Sequence, residues 1–188
     1  MATTTHRRTA ATALLIIDFF NPFIANVGRG YAAAALRAAV RTARLKARLR
    51  ATKVPVIYAN DNFGNWESEF SSLVERCRAL PGAAGEIAAL LAPVAGDRSI
   101  LKPRHSAFFE TPLPFLLGTL GVRRLILTGI AADSCITFTA HDAHVREFRV
   151  WVPSDCVASP SIPRTRAALA QLRRVLDASV ASSTAARR

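Results

Sequence analysis

Ala13-Leu14-Leu15-Ile16-Ile17-Asp18 is a short, continuously apolar run that closes on a carboxylate. A strand with one wet face alternates apolar and polar side chains. A run without alternation is buried on both faces, as in a parallel sheet covered by helices. The same pattern recurs along the chain. After a turn at Asn21-Pro22, apolar periodicity predicts a long amphipathic helix over Ala32–Arg50. Val54–Ala59 reads as the second strand and Ser99–Lys102 as a short third. Between them lie a polar loop, Asn60–Trp66, and two helical stretches split by Pro81-Gly82. Arg124–Thr128 is the fourth strand, ended by Gly129, and a helix over Ser134–Val145 follows. Phe148–Val152 is the fifth strand, and the last helix runs over Pro163–Ala178. Short apolar strands alternating with longer helices, joined by right-handed crossovers, predict an α/β protein. The expected architecture is a three-layer α/β/α sandwich with a mainly parallel sheet of five or six strands.

The 188 residues suit one domain over 1–188, and at this size folding buries roughly 70% of the unfolded surface, enough for a core without staples. The 51% apolar content and a mean hydropathy of +0.21 exclude a disordered chain. No apolar run approaches the roughly 18 residues of a membrane span, and none carries a signal-peptide pattern. Segments 1–11 and 181–188 read as flexible tails. Three widely spaced cysteines, Cys77, Cys135 and Cys156, form no CxxC pair and no Cys/His cluster, which points to reduced thiols in a cytoplasmic protein without a metal site.

The net charge of +12 raises the question of nucleic acid. The charge is mostly arginine spread along the chain. Arg37, Arg41, Arg44 and Arg48 form one helical stripe opposite Leu36, Val40 and Ala43, the pattern of a solvated face. No recognition module or interleaved aromatics accompany it, so no specific nucleic-acid partner is expected.

In open parallel sheets, ligands bind outside the carboxyl ends of the strands. Three such ends carry reactive residues. Asp18 closes the first strand, Lys102 closes the third, and Cys135 follows the fourth. Asp133 or Ser134 is a natural helix N-cap, which places Cys135 in the first turn, where free amides and the helix dipole favour thiolate. A nearby Lys102 would lower the thiol pKa further, and a carboxylate could take its proton. Singly, each residue has an ordinary alternative: a structural cysteine, a capping aspartate, a surface lysine. Their joint placement at three strand ends favours a site.

Those residues also lie in segments with a family resemblance. Leu14–Phe23 (LLIIDFFNPF) resembles the opening aspartate motif of the isochorismatase-like cysteine hydrolases, the nicotinamidase-related amidohydrolases. Leu101–Phe108 (LKPRHSAF) is similar to their lysine motif, Leu127–Ile136 (LTGIAADSCI) to their cysteine motif, and Val152–Ala158 (VPSDCVA) to a segment after the next strand. The order and spacing agree over about Ala13–Leu176. The resemblance implies a Rossmann-like isochorismatase-type fold and a homo-oligomer, dimer or tetramer. It also implies a catalytic triad: Asp18 as general base, Cys135 as nucleophile and Lys102 as its support. A cis peptide would join Ile130 to Ala131, and the Ala131 and Cys135 amides would form an oxyanion hole. Acyl transfer from a small carboxamide or carbamoyl compound would pass through a thioester, with the same carboxylate activating the hydrolytic water.

Two branches of the resemblance read differently. Isochorismatases, which cleave a vinyl ether, lack the cysteine that is present here. Nicotinamidases typically carry an Asp-x-His metal motif after the second strand, where this chain has Asp61-Asn62-Phe63, so no metal or other cofactor is expected. A non-catalytic binding scaffold of the same fold is the alternative from another class. Asn60, Asn62, Phe63, Trp66, Phe19, Phe23 and Phe108 are the expected pocket lining; Arg104 and His105, beside the lysine, are candidates for substrate contact or for ordinary structural roles.

Overall fold

The computed structural model describes residues 11–23, 29–66 and 69–185. Its centre is a six-stranded, all-parallel sheet built from β1 (Ala11–Ile17), β2 (Val56–Asp61), β3 (Arg98–Lys102), β4 (Val122–Ile130), β5 (Arg149–Trp151) and β6 (Val157–Ala158). The order is β3-β2-β1-β4-β5, and β6 pairs with the far end of β4. The continuous apolar run of β1 is buried because it lies in the middle. Leu14 and Ile16 face one layer of helices, whereas Ala13, Leu15 and Ile17 face the other.

The first layer consists of α1 (Arg29–Ala51), α2 (Phe70–Arg78) and α3 (Ala83–Leu90); Ala35, Leu45, Leu49, Leu73 and Ile87 meet Leu14, Ile16 and Tyr58 there. The second consists of α4 (Leu113–Thr119), α5 (Thr137–Val145) and α6 (Ile162–Leu176), with Leu113, Leu117, Ala140 and Leu172 against Leu15, Ile57 and Leu127. The three-layer expectation holds. The sequence reading omitted α4 and the two-residue β6, both too short for a periodicity to register.

Two boundaries need correction. The helix after β4 begins earlier than expected, in a π-helical turn over Ala132–Ile136, with Ala131 as its N-cap. Neither Asp133 nor Ser134 caps it. The amides of Ser134 and Ile136 both donate to Ala131 O, and the amide of Asp133 donates to Ser159 Oγ at 3.2 Å. The C-terminal segment is also not loose throughout. Ser183 is buried and donates to both carboxylate oxygens of Asp155, at 2.7 and 2.8 Å, while its carbonyl accepts from Arg48. Trp151 Nε1 donates to Ala181 O at 2.9 Å. The low apolar content of this stretch hid a polar clasp. The expected N-terminal tail up to residue 10 and residues 186–188 lie outside the described residues, and Ala11 already belongs to β1. Among the described residues, no helix is long and apolar enough to cross a membrane.

Candidate active site

The strand order reverses between β1 and β4, the place where parallel sheets open a crevice. Asp18 leaves β1 there with a left-handed φ of 53°, a conformation aspartate tolerates better than bulky residues. Cys135 sits in the π turn after β4. Lys102 ends β3, two strands from β1 and so about 10 Å away across the sheet; its four-carbon stem spans the end of β2.

The three side chains meet. Lys102 Nζ lies 2.8 Å from Asp18 Oδ2 and 3.6 Å from Cys135 Sγ, and also donates to Arg104 O at 3.1 Å. Asp18 Oδ1 accepts from the Asp61 amide at 2.6 Å, and the carboxylate also interacts by hydrogen bond with the Cys135 thiol. Lys102 is fully buried, and Asp18 and Cys135 are nearly so. An unpaired ammonium would not be stable in that place, so the ion pair is what permits a buried lysine.

Burial sets the protonation states. It raises the Asp18 carboxyl above the ordinary carboxylate range, against the opposing charge of Lys102 and the hydrogen bonds from Cys135, Lys102 and Asp61. For Lys102 burial works downward, but the charges of Asp18, Cys135 and Asp61 outweigh it and hold the ammonium above its usual value. Burial, reinforced by the Asp18 charge, pushes the Cys135 thiol up to about 12 despite the pull of Lys102. The sequence expectation of a thiolate favoured by the helix end and Lys102 is therefore corrected. The resting nucleophile candidate is a thiol beside a proton acceptor.

Several expected lining residues do other work. Phe19 is fully buried in the core against the α1–α3 layer. Asn60 clamps the backbone of Phe20, accepting from its N–H at 3.2 Å and donating to its carbonyl at 3.0 Å. Asn62 is buried and accepts from the Gly64 amide in a local turn. Phe108 packs on Phe148 in the opposite core, beneath the Arg146 guanidinium. Phe63 and Trp66 stand exposed, at 46% and 78%. The tertiary fold favours core packing for Phe19 and Phe108 because both fall between sheet and helix.

Four residues join the site from outside the expected triad. Asp61 ends β2 with Oδ2 3.7 Å from Lys102 Nζ and Oδ1 accepting from the Phe63 amide at 2.6 Å; the strand-end argument that selects Asp18 and Lys102 applies equally to it. A carboxylate facing an ammonium at that range suits an ion pair better than a divalent cation, and Phe63 supplies no donor atom. Among the described residues, no group of three or more His, Cys, Asp or Glu is placed to hold a metal ion. Tyr31 is a buried phenol raised above its usual pKa by burial and then by the charges of Cys135, Asp18 and Asp133. Phe23 meets the Tyr31 ring edge-on at 5.9 Å, which puts this one expected aromatic beside the site. His105 Nδ1 lies 4.0 Å from Cys135 Sγ, whereas the Arg104 side chain is exposed and its carbonyl serves Lys102.

The backbone at the nucleophile turn is unusual. The Ile130–Ala131 peptide is cis. Gly129 has φ 139°, and a Cβ there would stand 2.0 Å from Ile17 O, so only glycine lets β4 press this closely on the strand that delivers Asp18. An ion pair between Asp133 and Arg164 ties the turn to the start of α6.

Known proteins resemble this chain in sequence and in fold. The isochorismatase family protein YaaI of Bacillus subtilis (strain 168) is 37% identical over 171 residues, covering 91% of this chain and 93% of that protein. The ureidoacrylate amidohydrolase RutB of Methylorubrum extorquens is 28% identical over 165 residues, which is 73% of this chain and 66% of that protein. The crystal structure of N-carbamoylsarcosine amidase from Thermoplasma acidophilum superposes with a TM-score of 0.73 at 28% identity, covering 95% of this chain and 99% of that one. The sequence profile of the Isochorismatase domain matches residues 12–185, nearly the whole described fold. This chain belongs to the isochorismatase domain family.

Proposed function

We propose that the protein is a cysteine amidohydrolase that cleaves a C–N bond of a small carboxamide or carbamoyl substrate. The observation that carries this reading is the buried contact of Lys102 Nζ with both Asp18 Oδ2 and Cys135 Sγ, at 2.8 and 3.6 Å. The relatives named as an amidohydrolase and an amidase support the bond type.

Asp18 accepts the thiol proton as sulfur attacks the carbonyl carbon. This timing suits a thiol held near 12, because proton transfer coupled to attack avoids a free thiolate. Lys102 offsets the negative charge that the Asp18–Cys135 pair carries throughout. The amides of Ala131 and Cys135 are the assigned oxyanion donors, each worth a factor of about 10²–10³ in turnover. Asp18 then returns its proton to the departing ammonia or amine, and water releases the acyl group from sulfur. Cys135 gives this scheme its advantage over vinyl-ether hydrolysis, which by the resemblance proceeds without a thiol. A homo-oligomer, dimer or tetramer, belongs to the same reading, and exposed Phe115 and Val145 are apolar surface for it to cover.

The test is ammonia release from a panel of small carboxamides, N-carbamoyl compounds and ureido acids. C135A, D18N and K102M should each lose at least about 10³-fold in turnover of any substrate found. Retention of wild-type turnover by C135A would refute the scheme and return the fold to the binding-scaffold alternative.

A further inference from the structure

His105 is exposed on the segment after β3, with its Nδ1 4.0 Å from Cys135 Sγ. Its ring lies against Phe138 of α5, with 5.3 Å between centroids. Among the described residues, that sulfur is the one polar partner of the imidazole; no carbonyl, carboxylate or hydroxyl holds either nitrogen. A buried histidine is held by such a partner. This one is fixed by an aromatic face and aimed at the thiol.

The groups around Sγ differ in burial. Asp18 and Lys102 are enclosed, at 5% and 0% exposure. The Asp18 carboxylate already accepts from the Asp61 amide and Lys102 and interacts with the thiol, three of its roughly four acceptor positions. His105 is exposed to water.

We infer that His105 is a further catalytic residue, the general base for the water that hydrolyses the acyl-thioester. Thiol activation and thioester hydrolysis then use different bases, one buried and one exposed, instead of a single carboxylate for both. The inference rests on the reading of Cys135 as nucleophile. With its proton on Nε2, the imidazole accepts a water proton at Nδ1 while the water oxygen bonds to the acyl carbon. The C–S bond then breaks, its electron pair goes to sulfur, and the proton passes from the imidazolium to that sulfur. Carboxylic or carbamic acid, thiol and neutral imidazole remain. A span of 4.0 Å is long for a direct S–H···N bond and too short for a water between the two atoms. The hydrolytic water would stand beside the pair, about 2.8 Å from nitrogen and about 3 Å from an acyl carbon on sulfur.

The probe is p-nitrophenyl acetate, which acetylates a reactive thiol whatever the natural substrate. The full-length wild type should release nitrophenolate continuously and C135A should not. H105F keeps a ring for Phe138. It should acetylate at a rate within about twofold of wild type, then stall, with steady release about 10²-fold slower and an acetyl-Cys135 adduct visible by intact-mass spectrometry. H105Q should do the same. Hydroxylamine, a nucleophile that needs no base, should restore turnover in both variants. Steady release by H105F at the wild-type rate, or acetylation and steady release falling together without an adduct, would overturn the role of His105 while leaving Cys135 as nucleophile. A wild type no faster than C135A would remove the underlying reading, and this inference with it.

Discussion

At the scale of single residues, the notable quantity is the proton on Cys135. A helix end and a lysine 3.6 Å away would ordinarily favour thiolate, yet burial and the Asp18 charge win. D18N removes the group that both raises the thiol pKa and accepts its proton. It should therefore alkylate faster with iodoacetamide near neutral pH than wild type, while losing turnover. Slower alkylation in D18N would show that Asp18 is not what holds the thiol protonated. The same shift has a consequence for stability. Below about 8.5 the thiol is protonated in both folded and unfolded chains; above it, the unfolded thiol ionises while the folded one resists until about 12. A raised folded pKa means stability is lost as pH rises, so the urea midpoint should fall more between pH 8 and 11 in wild type than in C135A. Cys156, also pushed up to about 12, is common to both proteins and cancels in the comparison.

At the scale of elements, the site is made where strand ends crowd. Gly129 carries that closeness. G129A adds a Cβ into Ile17 O and keeps a positive φ that alanine resists, so it should destabilise by roughly 3 kcal/mol or more, measurable by urea unfolding. The π turn is held from the other side by the Asp133–Arg164 ion pair and the Ser159 hydroxyl. Arg164 is more than half exposed, so its charge adds little stability. R164A should leave the melting temperature within a few degrees while lowering kcat about tenfold, because it loosens the turn that aims Cys135. An unchanged kcat would show that the turn holds its shape unaided.

At the scale of the whole molecule, the last described residues close the structure on themselves. The Asp155–Ser183 bonds, Arg48 to Ser183 O and Trp151 to Ala181 O tie the C-terminal segment to the β5–β6 connection and to α1. Truncation after Val180 leaves Asp155 without these partners. At a net ~1 kcal/mol per bond, partly screened, it should cost about 2–4 kcal/mol and lower Tm by roughly 5–10 °C in a calorimetric scan. Turnover at room temperature should survive, since none of these bonds touches the strand ends of the site.

The layered parallel fold was legible in Ala13–Asp18 and its counterparts, because burial on both faces leaves an unbroken apolar run that no other common strand environment requires. Asp18, Lys102 and Cys135 were legible for a related reason: reactive side chains at successive strand ends stand out against such runs. What only the tertiary structure decided were contacts between elements far apart in sequence. Asn60 bound to the Phe20 backbone, Phe108 sunk beneath Arg146, the thiol proton, the polar clasp on Ser183 and His105 facing the sulfur all depend on which elements pack together. Local sequence records how a segment meets sheet or solvent. It does not record which distant side chain arrives beside it, and that neighbour sets both protonation and role.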